Sequence, residues 1–208
     1  MSKIYWSADA HIGHPSILKF MPNRPYALEG NTQAHDEWII NLWQKTVGKH
    51  DKIYFAGDLT FRKSEDARRL LEQLPGEKYL AVGNHDEAIK AHSNYFRKVA
   101  QIMEITIKPS IYEVLSEELC IVLCHYPLLD WPGKQQGTVM LHGHCHGTMD
   151  DYNVNSADLR FDIGIDGALA KQVGGNVLVP FIYDRAYNPG YKNVIGLKNR
   201  DMVIGLLF

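Results

Sequence analysis

Residues 78–86 read KYLAVGNHD, and of all segments of the chain this one is the most informative about its fold. The run KYLAV is typical of a short buried β-strand, and it ends abruptly in turn-forming and polar residues. A strand that leads directly into Asn84, His85 and Asp86 places polar side chains at the carboxyl end of a sheet. In open α/β sheets the ligand site lies at that end of the strands. The stretch therefore predicts both a sheet and a site at its edge.

The same arrangement recurs along the chain. Residues 3–8 (KIYWSA) lead to Asp9, and residues 52–56 (KIYFA) lead to Gly57 and Asp58. Further strands are predicted at 119–124 and 139–141, and they lead to two histidines. Polar groups thus follow five predicted strands, namely Asp9, Asp58, Asn84, His125 and His144. We expect these five groups to converge on one crevice.

Helical periodicity fills the gaps between the first three strands. Apolar residues recur at helical spacing over 33–48, where Thr32 is the expected cap, and over 64–74, which Pro75 ends. From residue 100 onward the pattern favours strands, at 102–107, 111–115, 119–124, 139–141, 160–165 and 176–179. Because no linker or repeat interrupts the chain, we predict one α/β domain over residues 1–208.

Composition narrows the class of protein. The chain has 208 residues and a formal net charge of −2, which argues against strong binding of duplex nucleic acid. No apolar run is long enough to span a bilayer, and residues 1–8 lack the layout of a signal peptide. Three cysteines, Cys120, Cys124 and Cys145, do not form a disulfide framework. We expect a cytoplasmic protein that makes no use of a membrane.

The polar groups fall into five short motifs: Asp9-x-His11, Gly57-Asp58, Gly83-Asn84-His85-Asp86, His125, and Gly143-His144-x-His146. Carboxylate, imidazole and amide ligands together suit Mn, Fe, Ni or Zn better than Mg or Ca. In an extended chain alternate side chains share a side, so the residues that flank Ala10 and Cys145 would point together. Cys145 itself would then face away from the site.

Each motif alone has a simpler structural interpretation. A Gly-Asp pair is usually a turn, Gly-Asn-His-Asp is a tight turn, and a lone histidine is more often a satisfied core residue. Tyr126 and Trp131, which follow His125, could line a pocket and stack on a nucleobase, although packing is the simpler interpretation. The functional interpretation depends on all five motifs occurring in order, each after a strand.

The ordered set resembles the calcineurin-like metallophosphoesterase superfamily, whose signature runs D-x-H, G-D, G-N-H-[DE], H and G-H-x-H. Residues 7–14 (SADAHIGH) are also similar to its small prokaryotic and phage branch. The resemblance implies a four-layer αββα sandwich of two mixed β-sheets flanked by helices. It also implies a first metal held by Asp9, His11 and His146, a second held by Asn84, His125 and His144, and Asp58 between them.

The activity that the resemblance implies is hydrolysis of a phosphodiester or a phosphomonoester by a hydroxide that two metals activate. The expected cofactors are two divalent ions, manganese first, with iron, nickel or zinc as alternatives. His85 resembles the general acid of the superfamily, and Asp58 is the second catalytic residue. Arg62, His14 and Asn84 are candidates for contacting a small phosphate ester, with nucleotides among the substrates considered.

Some features depart from this pattern and leave alternatives open. Phe61 stands where the protein-phosphatase branch has the aspartate that orients its acid histidine. Arg62 is equally well explained as a solvated loop residue, and His14 as a loop hydrogen-bond partner. Two other functions remain, a nuclease of the same superfamily and a protein-binding scaffold without catalysis. Dimerisation is frequent in the superfamily, and the sequence leaves a homodimer open.

Overall fold

A computed structural model describes residues 2–108, 118–167, 181–183 and 202–204 of the chain. The strands that the sequence predicts at 111–115 and 176–179 lie outside these described residues. Within the described part, no helix combines the length and the apolar character needed to cross a bilayer.

The first sheet is built from β1 (Ile4–Ser7), β2 (Lys52–Phe55), β3 (Glu77–Ala81) and β4 (Lys98–Ala100). The four strands pair in that order and all in parallel. Parallel neighbours need crossover connections, and helices lie in all three of them. The carboxyl ends of these strands consequently lie at the same edge of the sheet, where Asp9, Asp58 and Asn84 follow.

The second sheet contains β5 (Ile102–Ile107), β6 (Leu119–Cys124), β7 (Val139–His142) and β8 (Arg160–Asp162). Its pairing is mixed, because β5 runs antiparallel to β6 while β6, β7 and β8 are parallel. A separate antiparallel pair joins β9 (Phe181–Tyr183) to β10 (Met202–Ile204).

Five helices are described: α1 (Ile17–Phe20), α2 (Thr32–Thr46), α3 (Ser64–Gln73), α4 (Glu87–Lys90) and α5 (Asp150–Asn155). Helix α2 begins one residue earlier than the sequence predicts, because Asn31 rather than Thr32 is the cap. The Asn31 side chain accepts a hydrogen bond from the backbone N–H of Ala34 at 3.0 Å, which satisfies one of the free donors at the helix start.

Two apolar clusters separate the layers. Trp6 and Tyr54 belong to the cluster that β1 and β2 share with the strands of the second sheet. Tyr5 and Phe55, their neighbours along the strands, belong to a cluster with Trp43 and the other core residues of α2 and α3. The first sheet is thus buried on both faces, as parallel sheets normally are. The predicted α/β sandwich of two sheets flanked by helices is confirmed. Only the second sheet is mixed as expected, since the described strands of the first sheet are all parallel.

Candidate metal centre

Side chains from both sheets meet at the carboxyl ends of the strands. Asp9 follows β1, Asp58 follows β2 and Asn84 follows β3, while His125 and His144 follow β6 and β7. The seven predicted ligands form two neighbouring groups, and the carboxylates of Asp58 and Asp9 each lie within 4.0 Å of a histidine in both. The structure therefore brings together the residues that the sequence assigns to one crevice.

The first group comprises Asp9, His11 and His146. One ligand atom from each of these residues lies within 4.8 Å of the corresponding atoms of the other two. The His11 and His146 rings are 5.0 Å apart, and His11 Nε2 lies 4.0 Å from Asp9 Oδ1. These are the three residues expected to hold the first metal.

The second group forms around His125, which is fully buried. Its Nε2 atom lies 2.9 Å from Asn84 Oδ1 and 3.6 Å from Asp58 Oδ2. The His144 ring is 5.0 Å from the His125 ring. Asp58 Oδ2 is also 3.7 Å from His11 Nε2. One carboxylate oxygen of Asp58 thus lies between the two groups, at the place expected of a bridging ligand.

Hydrogen bonds fix which nitrogen of two histidines faces the crevice. His125 Nδ1 is 2.7 Å from the Ala56 carbonyl oxygen, which can only accept, so Nδ1 carries the proton. His146 Nδ1 is 2.6 Å from Asp166 Oδ2 and donates in the same way. In both residues Nε2 is therefore the nitrogen that remains for a metal, which histidine binds through an unprotonated ring nitrogen.

The ligand atoms gathered in the crevice fit a cation. His125 Nε2 lies 2.9 Å from Asn84 Oδ1 and 3.6 Å from Asp58 Oδ2, so nitrogen and oxygen atoms from three motifs meet at one point. His11 is buried, and neither of its ring nitrogens has a hydrogen-bond partner. Burying an imidazole that has no hydrogen-bond partner costs free energy, and coordination of a metal by one of its nitrogens would offset that cost. The donor set therefore fits divalent metals.

The backbone of the ligand motifs is held in an unusual conformation. Among the described residues, seven that are not glycine have positive φ, and five of them are predicted ligands: Asp9, His11, Asp58, His144 and His146. Each such residue costs roughly 1–3 kcal/mol and tends to mark a functional site. The condition under which the sequence would place both side chains of Asp9-x-His11 and of His144-x-His146 on one side, an extended backbone, does not hold. Both residues of each pair are left-handed, with φ between 49° and 68°.

Glycines precede the ligands because the motifs touch one another. A Cβ atom on Gly83 would lie 2.1 Å from Asp58 Oδ1 and 2.6 Å from the Asp58 nitrogen. A Cβ atom on Gly143 would lie 2.6 Å from Asp9 Oδ2. The glycine in each motif thus allows a ligand from a different strand to approach closely.

Asp86 joins two of the motifs and does not face the crevice opening. Its Oδ2 accepts hydrogen bonds from the backbone N–H groups of Asp58 and Gly83, both at 2.8 Å, and its Oδ1 accepts one from Leu59 at 3.0 Å. Burial raises the pKa of this carboxyl despite those bonds. These contacts are structural, because the Asp86 carboxylate connects the Gly57-Asp58 and Gly83-Asn84 motifs and makes no side-chain hydrogen bond to the start of α4.

Arg24 and Asp166 support the first group, and sequence reasoning missed both. The Arg24 guanidinium binds both Asp166 oxygens, at 2.9 and 2.6 Å, and donates to the carbonyl oxygens of Asp9 at 2.7 Å and Ala10 at 3.2 Å. Asp166 in turn orients His146. Asp166 follows β8 just as the predicted ligands follow their strands, and this position could have identified it from the sequence. Arg24 lies in a proline-rich loop, and nothing in the sequence of that loop points to a role in the site.

Burial and neighbouring charges perturb the ionisation of the first group. Burial, followed by the nearby Asp162 carboxylate, raises the pKa of Asp9 well above 3.8, against hydrogen bonding from the His144 backbone. Burial, followed by Arg24 and His146, lowers the pKa of His11 to about 2. His11 is therefore neutral at physiological pH, as a ligand must be. A bound cation would favour the charged form of Asp9.

His85 lies exposed at the mouth of the crevice. Its backbone N–H donates to Asp58 Oδ1 at 2.9 Å, so the residue is attached to the carboxylate that lies between the two groups. Its ring lies 4.6 Å from the Phe61 ring and 5.9 Å from the His11 ring. Phe61, which stands where the protein-phosphatase branch has an aspartate, therefore packs against the His85 imidazole as an aromatic ring in place of a carboxylate.

The three candidate substrate contacts differ in position. Asn84 is exposed at the mouth beside His125. His14 is half-buried, and its Nδ1 accepts from the Ser16 backbone N–H at 3.0 Å, which is the loop hydrogen bond that the sequence left as an alternative. Arg62 is paired with Asp36 on α2 at 3.2 Å, so its charge is already compensated.

Fold and site together define an α/β protein with a histidine–carboxylate centre between two sheets. The chain is 39% identical over 186 residues to the uncharacterized protein MJ1445 of Methanocaldococcus jannaschii, covering 88% of this chain and 92% of that one. The chain belongs to the family of MJ1445. No established family profile matches the sequence.

Two phage proteins and one solved structure are also similar. The Gene 66 protein of Mycobacterium phage L5 is 24% identical over 172 residues, covering 72% of this chain and 80% of that one. Its counterpart in phage D29 is 27% identical over 165 residues, covering 70% and 79%. The crystal structure of AQ665 from Aquifex aeolicus, a protein of unknown function, superposes with a TM-score of 0.57 at 20% identity, over 80% of this chain and 91% of that one. This likeness supports the fold.

Proposed function

We propose that the protein is a two-metal phosphoesterase that hydrolyses phosphodiesters or phosphomonoesters. The observation that carries the proposal is the position of Asp58, whose Oδ2 atom lies 3.7 Å from His11 Nε2 and 3.6 Å from His125 Nε2. A carboxylate so placed can serve two cations at once, one in each group. The resemblance of the ordered motifs to the calcineurin-like metallophosphoesterases supports the same assignment.

Two divalent ions, when bound, would supply Lewis acidity to the phosphoryl oxygens and to the attacking water. Asp9, His11 and His146 would hold one, and Asn84, His125 and His144 the other. Manganese is the first candidate, followed by iron, nickel and zinc, because nitrogen and oxygen donors are mixed. Two carboxylates against four positive charges leave the centre cationic, so it attracts a phosphate anion.

His85 is the residue proposed to donate a proton to the leaving group. It is exposed at the mouth, and its backbone hydrogen bond to Asp58 fixes its distance from the centre. In its cationic form the imidazole would also stabilise charge that develops on the leaving oxygen. Because Phe61 replaces a carboxylate beside the ring, the position of His85 would depend on packing and on Asp58.

The proposal also covers the cellular location of the enzyme and the kind of substrate. We place it in the cytoplasm, in keeping with three cysteines that are free thiols, Cys120, Cys124 and Cys145. A net charge of −2 favours a small phosphate ester, nucleotides included, over duplex nucleic acid. A nuclease and a scaffold are the alternative functions that the experiments below separate, and a homodimer is compatible with each of them.

The first experiment measures turnover of p-nitrophenyl phosphate and bis(p-nitrophenyl) phosphate by purified protein with Mn²⁺. We expect turnover that a chelator abolishes and that fresh Mn²⁺ restores. His85→Ala should lower kcat by about 10²–10⁴-fold, the usual contribution of general acid–base catalysis. Asp58→Ala should abolish both turnover and tight metal binding, since both groups lose a ligand.

His50→Ala is the matched control, because His50 is an exposed histidine away from the crevice motifs. Its turnover should equal that of the wild type. An unchanged rate in His85→Ala would show that its assigned role is wrong. Absence of turnover on both esters, in protein that binds no Mn²⁺, would overturn the proposal in favour of the scaffold. Preferential cleavage of single-stranded DNA would instead favour the nuclease.

A further inference from the structure

Tyr126 is an exposed aromatic ring at the edge of the candidate centre. It follows His125 directly, and 42% of its surface is exposed. Its ring lies 5.0 Å from the His125 ring and 4.7 Å from the His144 ring, at angles of 74° and 63°. Since both imidazoles meet it at steep angles, neither is stacked parallel on its face.

The second aromatic residue of this loop is not available to a ligand. Trp131 is only 5% exposed, and its indole N–H donates to the Thr138 carbonyl oxygen at 2.8 Å. Leu129, by contrast, is 73% exposed and extends the apolar surface of the loop beyond Tyr126. Of the two rings that the sequence offers as stacking partners, Tyr126 is the one at the surface.

His85 indicates the direction in which a substrate would lie. A general acid must reach the leaving oxygen, and the His85 ring packs against Phe61, which in turn is 5.4 Å from the His11 ring. The leaving group would therefore depart on the side of the crevice formed by His11 and Phe61. Tyr126 contacts the histidines of the second group, His125 and His144. A substituent that stays on phosphorus would point towards Tyr126.

We propose that the crevice is built for a phosphodiester whose retained substituent carries a planar aromatic group, such as a nucleobase, that stacks on Tyr126. The inference rests on the proposed function and adds the substrate class. A monoester has no second substituent and would leave the Tyr126 ring without a partner. Stacking suits this position because every nucleobase has a π-face and a flat exposed ring can hold it without hydrogen-bond readout.

The test compares three esters with the same leaving group: bis(p-nitrophenyl) phosphate, methyl p-nitrophenyl phosphate and p-nitrophenyl phosphate. Tyr126→Ala should lower kcat/KM for the first by about tenfold, a loss in the range of one stacking contact. For the methyl diester and for the monoester we expect a loss below about twofold, because neither has a retained aromatic group. Tyr126→Phe, which keeps the aromatic ring, should turn over bis(p-nitrophenyl) phosphate as the wild type does.

Tyr152→Ala is the control, since Tyr152 is 53% exposed but faces Arg160 rather than the centre. Its kinetics on all three esters should match the wild type, and Mn²⁺ content should be equal in every variant. An equal loss on all three esters in Tyr126→Ala would overturn the inference, because Tyr126 would then support the centre and not the substrate. No effect on any ester would overturn it as well. Failure of the proposed function would look different, since the wild type would turn over none of them.

Discussion

Replacing Asp166 by asparagine should weaken metal binding without removing any proposed ligand. Asp166 Oδ2 accepts the Nδ1 proton of His146 at 2.6 Å and therefore holds His146 Nε2 towards the crevice. An asparagine keeps the shape but loses the charge that raises the basicity of the imidazole. Loss of such a supporting partner typically lowers metal affinity about 10–100-fold, or about 1.4–2.7 kcal/mol.

The same substitution should also destabilise the fold through Arg24. The Arg24 and Asp166 side chains are 3% and 10% exposed, and they form a bidentate pair. Removing one partner of a buried pair costs about 3–5 kcal/mol, because the other charge stays buried. Burial alone would raise the pKa of Asp166, but hydrogen bonds from His146 and Arg24 lower it below 3.8. This contribution to stability is thus present above pH 3.8 and is lost as the pH falls through the lowered pKa.

Two measurements test these expectations, calorimetric titration with Mn²⁺ and urea unfolding of the metal-free protein. Asp158→Asn is the matched control, because Asp158 forms a more exposed ion pair with Lys134 at 3.0 Å. That variant should bind Mn²⁺ as the wild type does and lose no more than about 1 kcal/mol of stability. If Asp166→Asn binds Mn²⁺ as tightly as Asp158→Asn does, the role assigned to Asp166 is refuted.

Two further substitutions probe the motifs themselves. In Gly83→Ala the new methyl group would lie 2.1 Å from Asp58 Oδ1, so we expect weaker Mn²⁺ binding and a loss of about 1–3 kcal/mol of folding stability. Gly30→Ala is the control for Mn²⁺ binding, because a Cβ atom there would have nothing within 4 Å. Equal Mn²⁺ affinities in the two variants would contradict the close packing of the motifs. In the metal-free protein, stability should fall as pH rises from 3.8 through the raised pKa of Asp9. Asp9→Asn should flatten the fall of stability with pH, measured by urea unfolding at several pH values, and should also abolish tight Mn²⁺ binding. An unaltered pH dependence would show that Asp9 is not the group whose titration causes it.

The sequence could predict the convergence of the ligands because the signal is topological. Apolar runs such as residues 78–82 identify buried strands, and parallel strands bring their carboxyl ends to one edge. No knowledge of side-chain packing is needed to place Asp58 and Asn84 together. The α/β class and the neighbourhood of the site follow from this reasoning, whereas the division into two sheets was an expectation from the family resemblance.

The backbone conformation of the ligands and the ion pairs between distant residues could not be predicted from the sequence in the same way. The left-handed φ values at Asp9 and His11 are imposed by packing around the crevice, and the sequence pattern is equally compatible with an extended chain. Arg24 reaches Asp166 across 142 residues, and no periodicity connects them. Arg62 was a substrate candidate by position along the chain, yet its pairing with Asp36 depends on how α2 docks.

Anomalous diffraction from a crystal soaked in Mn²⁺ would show whether the side chains around Asp58 hold two cations. We expect two peaks, one on either side of the Asp58 carboxylate. One peak should contact Asp9, His11 and His146, and the other Asn84, His125 and His144. A map with no peak in this crevice at saturating Mn²⁺, from protein that is folded and otherwise unchanged, would rule out a two-metal site.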